Sequence, residues 1–175
     1  MKTSACYLVA ALVLLPRFVL GQAGQSNRSL PSTPQGFLAL LAGTWHFDLY
    51  SQGDHGPVAS GQREMRLLAD SMKLTWSETV VGRSEPGAGI LGYNTATGAY
   101  YQLGAVEHEP SPMILIGHAD RSGHAVVFDV ASTDTRLAKP GIYVTSELRL
   151  VDPDHFEWVT SDGRGRGVFN RIGHS

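Results

Sequence analysis

A long succession of short alternating segments constrains the fold of this chain more than any other feature. From residue 44 onward, apolar and polar residues alternate, and the first run places Trp45, Phe47 and Leu49 on one face. Alternation with a period of two is typical of a half-buried β-strand. Turn-forming sequences such as SQGDHGP at residues 51–57 separate the runs at intervals of about 8 to 15 residues. The pattern predicts about nine or ten short antiparallel strands and an all-β fold.

Short, regularly spaced strands are typical of either a sandwich or a closed barrel. A barrel is favoured, because closure leaves no unpaired strand edge. One helix is predicted before the first strand, over about residues 34–42: Thr33 is a suitable cap, Pro34 suits the first turn, and Gly43 ends the apolar stripe. The fold class predicted is therefore an antiparallel calycin- or lipocalin-like barrel with one short N-terminal helix.

The N-terminus has the pattern of a secretion signal. Lys2 precedes a continuous apolar run, YLVAALVLL at residues 7–15, which is shorter than the roughly 20 residues of a membrane-spanning helix. Small residues follow at Gly21 and Ala23, after either of which cleavage is expected. We therefore predict a signal peptide over residues 1–21, a flexible leader over 22–33 and a barrel domain over 34–175. The expected location is secreted or periplasmic, without a stable membrane span after cleavage.

The composition limits the reactive groups that the mature domain can use and the partners that it can bind. The one cysteine, Cys6, lies in the predicted signal, so the mature domain is expected to have no disulfide, thiol nucleophile or thiolate metal site. The formal net charge is −2, and the sequence has no basic run. This balance argues against a nucleic-acid partner, which requires clustered Lys and Arg. The oligomeric state is left open.

Three motifs in one order resemble a known family. They are LAGTW at residues 41–45, ILGYNTATGAY at 90–100 and VDPDHF at 151–156. Together they resemble the lipocalin-like, calycin-type bacterial β-barrel family of unknown function, over residues 37–172. The resemblance implies a closed barrel of about ten strands with a pocket, and it brings no established activity. The related nitrobindin-like haem barrels carry a Gly-x-Gly pattern after a similar Trp, whereas His46-Phe47-Asp48 follows Trp45 here.

The seven histidines show no metal-binding pattern: none forms a His-Glu-x-x-His pair, and no two are two residues apart on a strand. His118 shares a predicted strand face with Ile114 and Ile116. It is a candidate ligand or acid–base residue if that face is internal. The alternative is a histidine near a turn that the backbone satisfies. No metal site and no cofactor are predicted, and haem remains an alternative.

Glu78 shares a predicted face with Leu74 and Trp76. If that face lines the barrel, its carboxylate enters an apolar interior, where it can act in acid–base chemistry or pair with a cationic ligand. The alternative is a carboxylate at the strand end that reaches solvent. By the same alternation, Ser146 lies between Val144 and Leu148, and Asn170 lies between Val168 and Ile172, as polar groups inside a mostly apolar pocket.

These patterns lead to ranked functional hypotheses. The first is an exported protein that binds a small, mostly apolar molecule inside the barrel. The alternatives are an enzyme that uses Glu78 and His118 as an acid–base pair, and a haem-binding barrel. A protein without enzymatic activity is favoured over an enzyme, although the sequence alone leaves catalysis open. The predicted ligand-binding residues are Trp45, Met65, Trp76, Glu78, His118, Ser146 and Trp158.

Overall fold

The computed structural model describes residues 29–105, 113–130 and 145–173. The predicted signal peptide and most of the predicted leader lie outside these ranges. One helix, α1 (Pro34–Leu41), precedes the strands. The strands are β1 (Gly43–Ser51), β2 (Ala59–Leu67), β3 (Lys73–Val80), β4 (Gly87–Asn94), β5 (Ala99–Ala105), β6 (Met113–Ala119), β7 (Ala125–Val130), β8 (Ser146–Asp152), β9 (His155–Thr160) and β10 (Gly165–Arg171).

The ten strands form a closed antiparallel barrel in which each strand pairs with its neighbours in sequence and β1 pairs with β10. This confirms the predicted all-β barrel, which is consistent with a calycin-like architecture, and excludes a sandwich. Trp45 pairs with Arg63 across β1 and β2, and Trp76 pairs with Met65 across β2 and β3. Because side chains alternate across a strand, these pairs place one continuous set of residues inside the barrel.

Helix α1 lies at one end of the barrel, which we call the helix end. The Oγ1 of Thr33 accepts a hydrogen bond from the Gly36 amide at 3.2 Å, as the capping pattern predicts. Three apolar helix residues are fully buried against the strands: Phe37, Leu38 and Leu41. The Phe37 ring meets Tyr100 edge-on, with ring centroids 5.4 Å apart. The helix thus covers the end at which β1 begins and β10 ends.

The opposite end, where β3 ends and β4 begins, we call the far end. Inward side chains at the helix end are closely packed, and Leu74, Val126 and Phe156 have no exposed surface. The large aromatic residues account for much of this core, including a stacked pair of Phe156 and Phe169 with ring centroids 4.3 Å apart. Within the described ranges, no helix is both long enough and apolar enough to cross a bilayer.

The predicted inward face of the last strand is wrong. In β10, Phe169 is buried and pairs with Phe47, whereas Asn170 is exposed on the outer face. The aromatic residue and the inward Gly167 define the true internal face, and Ile172 lies beyond the strand. A shift of one residue moves every side chain to the other face. Asn170 is therefore not a polar group of the interior.

Candidate functional site

The interior contains a central cluster that consists of Phe47, Arg63, Trp76, Glu78 and Phe169. Its core is an ion pair between two inward side chains of adjacent strands. Arg63 Nε and Nη2 both donate to Glu78 Oε2, at 2.9 and 2.5 Å. The two side chains retain only 14% and 11% exposure. A largely buried charge requires a partner of this kind, because desolvation otherwise makes it very costly.

Aromatic rings enclose the guanidinium of this pair. Arg63 Cζ lies 4.8 Å from the ring centroids of both Trp76 and Phe169, and 6.0 Å from that of Phe47. A cation over the face of an aromatic ring is attracted by the ring quadrupole, most strongly when water is excluded. The rings and the carboxylate therefore hold Arg63 in one position inside the barrel.

Inward glycines provide the space that the cluster needs. A Cβ at Gly89 or Gly104 would lie about 2.5 or 2.6 Å from ring carbons of Trp76, and a Cβ at Gly87 would lie 2.9 Å from Glu78 Cγ. Real Cβ atoms do not approach other atoms so closely. The Trp76 indole and the Glu78 side chain thus lie flat against parts of the wall that carry no side chain.

The indole N–H of Trp76 has no hydrogen-bond partner. Trp76 is only 5% exposed, and its Nε1 is buried without an acceptor among the residues that the structure describes. An unsatisfied buried donor costs about 1–3 kcal/mol and is rare in native proteins unless water, an ion or a ligand satisfies it. Trp76 therefore carries an unpaired donor, closed to solvent, beside the Arg63–Glu78 pair.

Most of the predicted site residues do lie inside the barrel. Alternation correctly places the side chains of Trp45, Met65, Trp76, Glu78, Ser146 and Trp158 on the inner face. Ser146 is 4% exposed and lies at the far end of β8, and Trp158 stacks on Phe128 with ring centroids 5.4 Å apart. Their participation in binding stays a prediction.

Trp45 has structural partners at the helix end. Its Nε1 donates to the Leu41 carbonyl at 2.8 Å, and Arg171 Cζ lies 4.2 Å from its ring centroid. The ring also meets Phe156 edge-on at 4.7 Å. These contacts join the helix to the barrel and use the polar atom of the indole.

His118 lies on the outer face, so its predicted inward orientation is wrong. It does share a face with Ile114 and Ile116, as the alternation indicates, but those side chains are 47% and 38% exposed. The inward residues of β6 are Leu115 and Gly117. The apolar residues at 114 and 116 do not mark an internal face, because folded proteins expose much apolar surface. Glu78 and His118 lie on opposite sides of the barrel wall and do not form an acid–base pair.

Arg63 and Gln102 are internal polar residues that are not among the predicted site residues. Arg63 is two residues before Met65, so the same alternation that selects Met65 also points Arg63 inward. Gln102 is 6% exposed and pairs with Leu91 and Leu115. The sequence pattern does not select them as internal, because charged and amide side chains are usually exposed. In the described parts of the chain, no group of three or more His, Cys, Asp or Glu residues could hold a metal ion.

Comparisons with known proteins give little further information. No family model matches the sequence, and no curated protein matches it. Among solved structures, a redesigned β-barrel is similar, with 17% sequence identity, a TM-score of 0.36, and coverage of 78% of this chain and 95% of that chain. A match at this level carries no information about family or function.

Proposed function

We propose that this protein is an exported binder of a small, mostly apolar molecule, held in the barrel between the central cluster and the far end. We also propose that it belongs to the lipocalin-like, calycin-type family that its three motifs resemble. Small ligands typically bind in concave, mostly apolar sites that contain a few placed polar groups. An enzyme based on Glu78 and His118 is not proposed, because the wall separates the two side chains.

The observation that carries the proposal is a gradient of exposure along the interior. At the helix end, the inward residues Leu74, Val126 and Phe156 have no exposed surface. At the far end, the inward side chains of Leu49, Val80 and Trp158 pack against the core but are only partly buried. This difference supports the far half of the interior as the side on which a ligand would enter and bind.

Polar atoms in this region suit a ligand that has one polar end. Arg63 Nη1 and Glu78 Oε1 take no part in the hydrogen bonds of the ion pair, and the buried Ser146 provides a hydroxyl group that both donates and accepts. Beside them, the partly buried Trp158 offers aromatic surface. Apolar contacts would contribute most of the affinity, and the polar atoms would orient the ligand.

Binding can be tested with the neutral, apolar fluorescent dye N-phenyl-1-naphthylamine after bound lipids have been stripped from the protein. We expect saturable binding with an increase in fluorescence. In Val80→Trp, a large inward side chain would occupy the far half, and the affinity should fall at least about tenfold, the effect of losing about 1.4 kcal/mol.

The matched control is Val81→Trp, since Val81 is the next residue and is 79% exposed. It should bind the dye as the wild type does, and near-ultraviolet circular dichroism checks that both variants are folded. No saturable binding to the wild type, or equal binding by the two variants, contradicts the proposed site. Export is tested separately by the intact mass of the protein recovered outside the cytoplasm, which should lack the first 21 or 23 residues.

A further inference from the structure

The Arg63–Glu78 pair gives the central cluster two opposite charges that compensate each other. Both hydrogen bonds of the pair use Glu78 Oε2, so neither Glu78 Oε1 nor Arg63 Nη1 takes part in them. The 14% and 11% exposure of the two side chains shows that they are not sealed from the interior space. The cluster thus presents one donor, Arg63 Nη1, and one acceptor, Glu78 Oε1, at a locus without net charge.

This arrangement disfavours charged ligands of either sign. A carboxylate that approached Arg63 would also approach Glu78, and two carboxylates at close range in a poorly solvated site repel each other strongly. An ammonium group that approached Glu78 would meet the Arg63 guanidinium in the same way. In either case, breaking the pair would leave one buried charge without its partner, which is strongly unfavourable.

A neutral group that can both donate and accept fits the free atoms. An alcohol or amide oxygen can accept from Arg63 Nη1, while its O–H or N–H donates to Glu78 Oε1. Building on the proposed function, we propose that the site selects an uncharged hydroxyl or amide head group on an apolar chain. The internal salt bridge acts as the specificity determinant that excludes fatty carboxylates and alkylammonium ions.

Three probes with the same chain length test this selection: 1-decanol, decanoate and decylammonium at neutral pH. Displacement of N-phenyl-1-naphthylamine gives their affinities. In the wild type, 1-decanol should bind at least about tenfold more tightly than either ion, since leaving a charge poorly paired costs at least about 1.4 kcal/mol. Because 1-decanol is also the most apolar probe, this comparison alone is not sufficient.

Two variants separate charge from apolarity. Glu78→Gln leaves Arg63 unpaired. It should raise the affinity for decanoate, relative to that for 1-decanol, by at least about tenfold. Arg63→Gln leaves Glu78 unpaired and should raise the affinity for decylammonium, relative to that for 1-decanol, by a similar factor. The double variant should restore the wild-type order. Glu147→Gln removes a partner of Arg149 on the outer face, 2.7 Å away, and should not change the order.

The opposite responses of the two single variants are the expected result. If the order of the probes is the same in every variant, the specificity proposal is overturned while the binding function stands. If none of the probes and not even the dye binds the wild type, the proposed function itself fails. Should one single variant not fold, the other decides together with the wild type: an unchanged relative affinity in the folded variant, or decanoate binding the wild type as tightly as 1-decanol, overturns the proposal.

Discussion

Tyr100 is a buried residue at the helix end, and the ionisation of its phenol group affects the stability of the fold. Its side chain is 2% exposed and lies between the rings of Phe37 and Tyr93, with centroids 5.4 and 5.0 Å away. Burial, with a smaller contribution from the neighbouring Tyr93, raises the pKa of Tyr100 from 10.0 to about 12. Ionisation of the folded protein at this position is therefore unfavourable.

This raised pKa predicts a loss of stability at alkaline pH. Below about pH 10 the phenol is neutral in both the folded and the unfolded state, so its contribution is fully present. Between about pH 10 and 12 the unfolded chain loses a proton that the folded protein keeps. The free energy of unfolding should fall by up to about 2–3 kcal/mol over that window. Urea unfolding at about pH 8 and 11.5 measures this difference.

Tyr100→Phe should reduce that alkaline loss, because the variant has no phenol to ionise at this position. Tyr101→Phe is the matched control, since Tyr101 is the adjacent residue on the outer face and pairs with Gly92 and Ile116. The control should retain the wild-type pH dependence. Equal slopes for wild type, Tyr100→Phe and Tyr101→Phe would contradict the role of Tyr100.

Individual residues also show how far alternation can predict a site. It placed Trp76 and Glu78 correctly, because a period of two determines which residues share a face once one large apolar residue is known to be buried. It could not show that Glu78 pairs with Arg63, since that contact depends on the register between two strands. It misplaced His118, because exposed isoleucines at 114 and 116 imitate a buried face.

At the scale of elements, Arg171 joins the helix to the barrel. The last carbonyls of a helix lack partners within it. Arg171 Nη1 donates to the Ala42 carbonyl at 2.7 Å, and Nη2 donates to the Leu40 carbonyl at 2.6 Å. The same guanidinium donates to the Pro153 carbonyl in the turn between β8 and β9, at 3.1 Å from Nη2. One side chain at the end of β10 thus binds both the helix C-terminus and a turn of the barrel.

Replacing Arg171 should destabilise the attachment of the helix. Arg171→Met keeps an apolar stem over Trp45 but removes the donors, and we expect a loss of about 2–3 kcal/mol in the free energy of unfolding. Amide hydrogen exchange should accelerate most in α1. Arg149→Met, which breaks an exposed pair with Glu147, should cost less than about 1 kcal/mol. Equal effects of the two variants would show that Arg171 does not hold the helix.

The elements were largely predictable, because their signals are local. Thr33, Pro34 and Gly43 delimit the helix, and alternation between turns delimits the strands. The docking of the helix was not predictable, since Arg171 lies far from α1 in sequence and nothing local indicates its contacts. The prediction of which face of β10 points inward was wrong, because the inward positions include Gly167, which gives no apolar signal.

At the scale of the whole molecule, the two ends of the closed barrel differ in how deeply their inward residues are buried. Every strand pairs on both sides, so the sheet has no free edge, and α1 covers the helix end. The apolar core is densest under the helix, and the central cluster separates it from the less buried far half. The helix end therefore provides stability, and the far half is where we propose that a ligand binds.

The central claim is that a ligand binds beside Trp76 in the far half of the barrel. The most direct test is a titration with 1-decanol followed through the indole N–H signals in two-dimensional nuclear magnetic resonance of the ¹⁵N-labelled protein. The Trp76 signal should shift, because the ligand would bind the Arg63 guanidinium that lies over the Trp76 ring, while the Trp45 signal should stay in place, because its N–H binds the Leu41 carbonyl at the helix end. A saturating titration that moves Trp45 or the outer-face amides but leaves Trp76 unchanged would contradict the account.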